Sequence, residues 1–179
     1  MTRSLLPLDR SIVLVGLMGA GKSTVGKRLA KRLGVDFVDS DEEIEKAANL
    51  SVSEIFVRFG EESFRDGEQR VIARLVEGRP RVIATGGGAF MRDDTRALLL
   101  ERSTTVWLDA DIETLVQRVG RRKTRPLLRD KDPRVVLRDL AAVRNPVYAQ
   151  ALIHVCSSPL PHEETVESIM RALAGKEQN

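Results

Sequence analysis

The sequence is poor in cysteine, in long apolar runs and in large aromatic side chains. Cys156 is the one cysteine among its 179 residues, so no internal disulfide can form, and the cytoplasm is the expected compartment. No stretch approaches the ~18 to 20 consecutive apolar residues that a membrane-spanning helix needs. The first ten residues hold too short an apolar stretch for a signal peptide. These absences predict a soluble protein, and the length of 179 residues predicts a single domain.

Nucleic-acid binding is also disfavoured, although the formal net charge is +3. Trp107 and Tyr148 are the only indole and phenol rings, so the basic residues lack the interleaved aromatics on which bases stack. The charges are segregated: residues 36–68 hold 11 acidic and three basic side chains, whereas residues 118–144 hold ten basic and three acidic. We expect a protein that gathers small anionic phosphates under its basic segment.

The sequence IVLVGLMGAGKST, residues 12–24, is the stretch that most clearly predicts a function. Its apolar start predicts a buried strand. The pattern Gly-x-x-x-x-Gly-Lys-Ser follows at residues 16–23, and residues 25–33 have helical amphipathicity. Strand, glycine loop and helix are the context that a phosphate-binding P-loop requires.

The residue types within this loop suit phosphate chemistry. Gly16, Gly19 and Gly21 allow backbone N–H groups and a helix N-terminus to approach an anion closely. Lys22 would reach the β- and γ-phosphates as a point charge, and the Ser23 hydroxyl would coordinate Mg²⁺. The predicted ATP-binding segment is Gly19, Ala20, Gly21, Lys22, Ser23 and Thr24.

Two further polar clusters follow predicted strands. Residues 35–38 are predicted as a strand that leads into Asp39 and Asp41, with Ser40 or Asp41 as the N-cap of the next helix. Residues 81–85 are predicted as a strand that runs into Gly86, Gly87 and Gly88. Three successive glycines are costly in chain entropy, which indicates a backbone that something approaches closely.

The remaining pattern completes an alternating α/β chain. Helices are predicted at residues 41–49, 51–76 with a break at Gly60, 93–102, 112–119, 132–144 and 163–174; Asn145-Pro146 should end or bend the fifth of these. Residues 104–108 and 151–155 are predicted strands, and His154 and Cys156 are interpreted as structural residues there. Five strands alternating with helices predict a parallel sheet with helices on both faces.

In this order and spacing the motifs resemble those of the shikimate kinase family. The likeness runs from about residue 11 to residue 148 and rests on GLMGAGKST, VDSD, FVRFGEESFRDGE, ATGGGAF, RPLL and RNPVY. It implies a single P-loop domain similar to nucleoside-monophosphate kinases, with residues 1–10 as a lead-in, about 42–76 as the substrate-binding region and about 118–131 as a lid. The implied partners are ATP and shikimate, the implied cofactor is Mg²⁺, and we expect a monomer.

The resemblance also implies roles for individual residues. Shikimate would be held by Asp41, Arg65, Gly86, Gly87, Gly88 and Arg144. Asp39 would sit beside Mg²⁺ through water, with Ser23 as the direct ligand; Arg118 and Arg125 would serve ATP, with Lys22, Asp41 and Arg125 as the catalytic set. Glu68 is one helical turn from Arg65 and would orient it.

Several alternatives stay open at this stage. A gluconate kinase would keep the P-loop but would need polyol contacts in place of the paired arginines, and a P-loop switch or binding module would have no acceptor pocket. Arg65 and Glu68 taken alone would suit an exposed helix pair of little energetic weight. Arg144 would suit a helix terminus, and the basic segment around Arg118 would suit a solvated face.

Overall fold

The computed structural model describes residues 8–121, 128, 130–157 and 159–176. This part of the chain forms five strands and seven α-helices, with a short 3₁₀ turn at Ala89–Met91. The strands are β1 Ile12–Val15, β2 Phe37–Asp39, β3 Val82–Ala84, β4 Thr104–Asp109 and β5 Ile153–Cys156. The helices are α1 Lys22–Leu33, α2 Ser40–Ala48, α3 Val52–Glu77, α4 Asp93–Arg102, α5 Ile112–Gly120, α6 Pro133–Tyr148 and α7 His162–Lys176.

The five strands form one parallel sheet in the order β2-β3-β1-β4-β5. β1 is central, and all four of its residues are buried, as are those of β3. A near-continuous apolar strand is what a sheet covered on both faces requires. The predicted fold class is therefore confirmed, and the carboxyl ends of β1, β2 and β3 open on the same edge.

The start of α2 differs from the prediction. β2 begins two residues later than expected and includes Asp39, which is itself the N-cap. The Asp39 carboxylate accepts hydrogen bonds from the backbone N–H groups of Asp41 (2.9 Å) and Glu42 (3.4 Å). The prediction of Ser40 or Asp41 as the cap was wrong, because Asp39 has the extended backbone of an N-cap whereas Ser40 is already helical.

Two helices contain residues that usually interrupt a helix. Gly60 breaks α3 at the predicted place, with a φ of 82°. In α6, by contrast, Pro146 does not end the helix, which continues to Tyr148. Pro146 lies in the last turn, so the missing N–H removes one hydrogen bond there, and the Ala149 N–H still donates to the Asn145 carbonyl at 2.9 Å.

The edge strand β5 is packed on alternate residues. Ile153 and Val155 are buried, whereas His154 and Cys156 face outward. The interpretation of Cys156 as a packed residue was wrong, because an edge strand covered on one face alternates in burial instead of being buried throughout. His154 stacks on Trp107 with ring centroids 4.2 Å apart. No helix in the described ranges combines the length and apolar character needed to cross a membrane.

Candidate active site

The P-loop joins β1 to α1 with three glycines at positive φ: Gly16 (145°), Gly19 (81°) and Gly21 (95°). Gly16 is also required for packing, since a β-carbon there would lie 2.6 Å from the Leu108 carbonyl oxygen. The Lys22 ammonium donates to the carbonyls of Gly16 (2.6 Å) and Leu17 (2.9 Å). The loop therefore holds its one lysine at the start of α1, where an anion would meet the helix N-terminus.

The two residues predicted to serve a metal ion are hydrogen bonded to each other. The Ser23 hydroxyl donates to Asp39 Oδ2 at 3.1 Å, while Asp39 Oδ1 caps α2. A hydroxyl and a carboxylate at the same point are ligands that suit Mg²⁺. The Asp39 side chain is held in place, because one carboxylate oxygen accepts a hydrogen bond from Ser23 in α1 and the other accepts one from the first turn of α2.

Asp41 lies one residue into α2, close to this pair. Burial, and then the neighbouring Asp39 carboxylate, raise the pKa of Asp41, while the cations Lys22 and Arg65 oppose the rise. A carboxylate with a raised pKa is a better proton acceptor than an exposed one. Asp41 therefore has the electrostatic surroundings of a general base.

The three glycines after β3 each make room for one predicted substrate residue. A β-carbon built on Gly86 would lie 2.9 Å from Asp41 Oδ1, and one on Gly87 would lie 2.9 Å from Arg144 Nη1. On Gly88 a β-carbon would overlap the Arg65 guanidinium. The expected close approach is thus observed, and the groups that approach the backbone are one carboxylate and two guanidinium groups.

Arg65 is held by a buried carboxylate. Arg65 Nη1 donates to Glu68 Oε1 at 2.8 Å, and the Glu68 side chain is only 1% exposed. Burial raises the pKa of Glu68, and Arg65 opposes that rise. The alternative of an exposed helix pair is excluded, because a buried ion pair fixes a side chain far more than a solvated one.

Arg144 reaches the same glycines from α6. Its neighbour Tyr148 is buried and donates a hydrogen bond to the Gly87 carbonyl. Burial raises the pKa of Tyr148 to about 12, so the phenol stays protonated and remains a donor. Tyr148 therefore anchors the end of α6 to Gly87, and with it the turn that carries Arg144.

A cleft of about 540 Å³ connects the P-loop with these groups. On the side of the cleft away from the triple glycine, Arg118 Nη1 donates to the carbonyls of Gly19 and Ala20, both at 3.3 Å, and Arg118 Nη2 to that of Ser157 at 3.5 Å. The cleft is lined by Met18, Gly19, Gly21, Lys22, Ser23, Thr24, Asp39, Asp41, Thr85, Gly86, Gly87, Arg118, Arg121 and His162. Its size suits a small-molecule site.

Comparison with known proteins gives the family. Residues 18–174 match a family model described as shikimate kinase. The chain belongs to the shikimate kinase family. The shikimate kinase of Caulobacter vibrioides strain NA1000 is 56% identical over 164 residues, which cover 92% of this chain and 82% of that one. The predicted family and enzyme class, an ATP-dependent kinase, are confirmed.

Solved structures separate this family from its neighbours. The shikimate kinase of Acinetobacter baumannii, in complex with shikimate, superposes with a TM-score of 0.89 at 37% identity, covering 95% of this chain and 96% of that one. A gluconokinase of Sinorhizobium meliloti has a TM-score of 0.65 at 22% identity, covering 94% of each chain. The gluconokinase shares the fold alone, whereas the shikimate kinases also share sequence.

Most of the predicted site residues meet in or beside the cleft. Arg65, Gly88 and Arg144 are adjacent to it through the triple glycine. Ala20 is not among the residues that line the cleft; it is buried, and its N–H donates to the Leu17 carbonyl at 3.1 Å. Arg125 and half of the predicted lid, residues 122–127 and 129, lie outside the described residues. The roles of these residues stay predictions.

Four residues that line the cleft were not predicted as site residues, namely His162, Thr85, Met18 and Arg121. His162 opens α7, and its ring would lie 2.9 Å from a β-carbon on Gly21. Burial, with Arg118 and Arg28 nearby, lowers the pKa of His162. His162 could have been predicted from its position in the sequence, because it follows β5, and the loop after a parallel strand lies at the same edge of the sheet as the P-loop.

Proposed function

We propose that this chain transfers the γ-phosphoryl group of ATP to the 3-hydroxyl of shikimate, giving shikimate 3-phosphate and ADP. The observation that carries this substrate assignment is the arrangement of Asp41, Arg144 and Arg65 against three successive glycines. Shikimate has one carboxylate and three hydroxyl groups. Two guanidinium groups can bind the carboxylate, and the Asp41 carboxylate can accept a hydroxyl proton.

Two parts of the cleft have separate tasks. The nucleotide half comprises the P-loop, residues 16–24, with Arg118, and it binds the ATP phosphates through backbone N–H groups and Lys22. Ser23 and Asp39 would hold Mg²⁺, which when bound neutralises charge on the β- and γ-phosphates. Their mutual hydrogen bond is the observation that supports this fit.

The acceptor half comprises Asp41, Arg65, Gly86–Gly88 and Arg144. Here the shikimate carboxylate is bound by Arg65 and Arg144, which orients the ring toward the P-loop. The 3-hydroxyl oxygen forms a bond to the γ-phosphorus as the bond from that phosphorus to the β–γ bridging oxygen breaks. Asp41 accepts the hydroxyl proton, and its raised pKa favours that transfer.

The decisive experiment is an ADP-release assay with purified protein and MgATP, comparing shikimate, gluconate and no added acceptor. We expect release that depends on shikimate. Gluconate also has a carboxylate, but it is an open chain, whereas the ring of shikimate holds its carboxylate and hydroxyl groups in a fixed arrangement for the two arginines and Asp41. Arg65→Ala should raise the shikimate KM by about 10- to 100-fold, the worth of a hydrogen bond to a charged group.

A matched control is Arg58→Ala, because Arg58 is an exposed arginine on the same helix before the Gly60 break. It should behave like the parent protein. Equal slow release with all three additions would contradict the acceptor assignment and favour a nucleotide-binding module. Faster release with gluconate would transfer the assignment to a gluconate kinase. The monomeric state and the cytoplasmic location stay predictions.

A further inference from the structure

Three side chains capable of binding a metal ion meet on the outer edge of the sheet, outside the cleft. They are Asp109 at the end of β4 and His154 and Cys156 on β5, and one ligand atom from each lies within 4.8 Å of the other two. Within the described residues they are the one mixed group of this kind. They supply oxygen, nitrogen and sulfur donors, which is the composition of many transition-metal sites.

The parallel sheet itself brings these residues together. In the β4–β5 register Asp109 is paired with Cys156, and Trp107 is paired with His154. His154 and Cys156 are two residues apart, so both project from the same face of β5. Because regular strands carry all three, the group is set by backbone hydrogen bonds and not by loops.

The histidine ring is fixed in a position suitable for metal binding. Its ring is stacked on Trp107 with an interplanar angle of 12°. His154 Nε2 lies 2.9 Å from Asp109 Oδ2, and their side chains are 50% and 30% exposed. Cys156 is also exposed. An ion could therefore enter from solvent, and only small side-chain movements are needed to reach Zn–ligand distances of about 2.0–2.3 Å.

We infer that Asp109, His154 and Cys156 form a binding site for a borderline-soft divalent ion of the zinc class. The thiolate and imidazole select such an ion over Mg²⁺, which prefers oxygen ligands. Binding releases the thiol proton of Cys156 to solvent. The proton on His154 Nε2 that makes the hydrogen bond to Asp109 is exchanged through solvent for one on Nδ1, so that Nε2 and the Asp109 carboxylate can each bind the ion. Three protein ligands leave a fourth position for water. The site is separate from the proposed Mg²⁺ position at Ser23 and Asp39.

Cobalt titration of the full-length protein, stripped of metal with a chelator, tests this site directly. We expect one equivalent of Co²⁺ to produce a thiolate-to-cobalt charge-transfer band in the near ultraviolet and Zn²⁺ to abolish it. The chain has one cysteine, so the thiol reaction with a chromogenic disulfide reports on this site alone. Zn²⁺ should slow that reaction at least tenfold, whereas Mg²⁺ should not.

Variants separate a three-ligand site from a cysteine that binds metal alone. His154→Phe keeps a ring on Trp107 but removes a ligand, and Asp109→Asn changes another with little change of shape. Each should raise the Zn²⁺ concentration needed for thiol protection by about tenfold or more. His162→Gln, which alters the only other histidine, should leave it unchanged. Absence of the cobalt band, or equal protection in His154→Phe and the parent, would overturn the inference.

Discussion

The nucleotide half of the cleft is built from one continuous segment and a single arginine, whereas the acceptor half is built from four separate segments. Residues 16–24 follow β1 directly and include the first turn of α1. Asp41, Arg65, the triple glycine and Arg144 come from α2, α3, the end of β3 and α6. The nucleotide half depends mainly on local backbone conformation, and the acceptor half depends on how distant elements pack.

Because the two halves are built differently, we expect substitutions to impair them in different ways. In the nucleotide half we expect backbone N–H groups to do much of the binding, so a side-chain substitution should leave the cradle in place. In the acceptor half the proposed recognising atoms are side chains, and Arg65 is positioned by Glu68. Substitutions in the two halves should therefore affect different kinetic constants.

Replacement of Lys22 should have the largest effect. Lys22→Met removes the charge that stabilises the transferring phosphoryl group, so kcat should fall about 10³-fold while the fold is retained. Steady-state kinetics and thermal melting would measure both quantities. Lys31→Met, on the exposed side of the same helix, is the control and should change neither. A Lys22→Met protein that keeps most of its kcat would refute the proposed role of the nucleotide half.

Asp41 tests whether the acceptor half contributes chemistry as well as binding. Asp41→Asn should lower kcat about 10²-fold. The raised pKa of Asp41 means that the base is lost at a higher pH than an ordinary aspartate, whose pKa is about 3.9. Hence kcat/KM for shikimate should fall as the pH drops through that raised value, and Asp41→Asn should lack this acid limb. The same pH profile in both proteins would exclude Asp41 as the base.

Arg144 tests substrate binding by the acceptor half. Arg144→Ala should raise the shikimate KM by about 10- to 100-fold, from the loss of a charge-assisted hydrogen bond, and should leave the KM for ATP almost unchanged. Arg138→Ala, an exposed arginine on the same helix, should have no effect. An unchanged shikimate KM in Arg144→Ala would rule out the carboxylate assignment.

A pair of glycine substitutions should give the smallest effects. Gly88→Ala places a methyl group against the Arg65 guanidinium and should cost roughly 1 kcal/mol of shikimate binding, about fivefold in KM. Gly67 lies within α3, and a β-carbon added there would have no neighbouring atom within 4 Å. Gly67→Ala should therefore stabilise the fold by about 0.5–1 kcal/mol through helix propensity. Steady-state kinetics would measure the shikimate KM of each variant, and denaturant unfolding would measure its free energy of unfolding. If Gly88→Ala changed the free energy of unfolding as Gly67→Ala does and left the shikimate KM unchanged, Gly88 would act through chain flexibility and not through the space it leaves for Arg65.

The local features were predictable from sequence, and those that depend on neighbours were not. The P-loop, the Gly60 break and the close approach to Gly86–Gly88 follow from residue type and spacing. The capping role of Asp39 was missed because three polar residues in succession could each cap a helix. Pro146 is tolerated because of its place in the last turn. Cys156 is exposed because β5 lies at the edge, a fact of strand order that its apolar neighbours do not reveal.

The strand order has a consequence for how this chain is made. β1 emerges from the ribosome first, yet its hydrogen-bond partners are β3 and β4, so that Ile12 must await both Val82 and Thr104. Until Val82 has been made, β1 has neither neighbour, and until Thr104 has been made it has only one; an unpaired apolar strand is the condition under which nascent chains aggregate or bind chaperones. We therefore expect the phosphate loop, although it comes early in the sequence, to reach its working shape only after Thr104 has been synthesised.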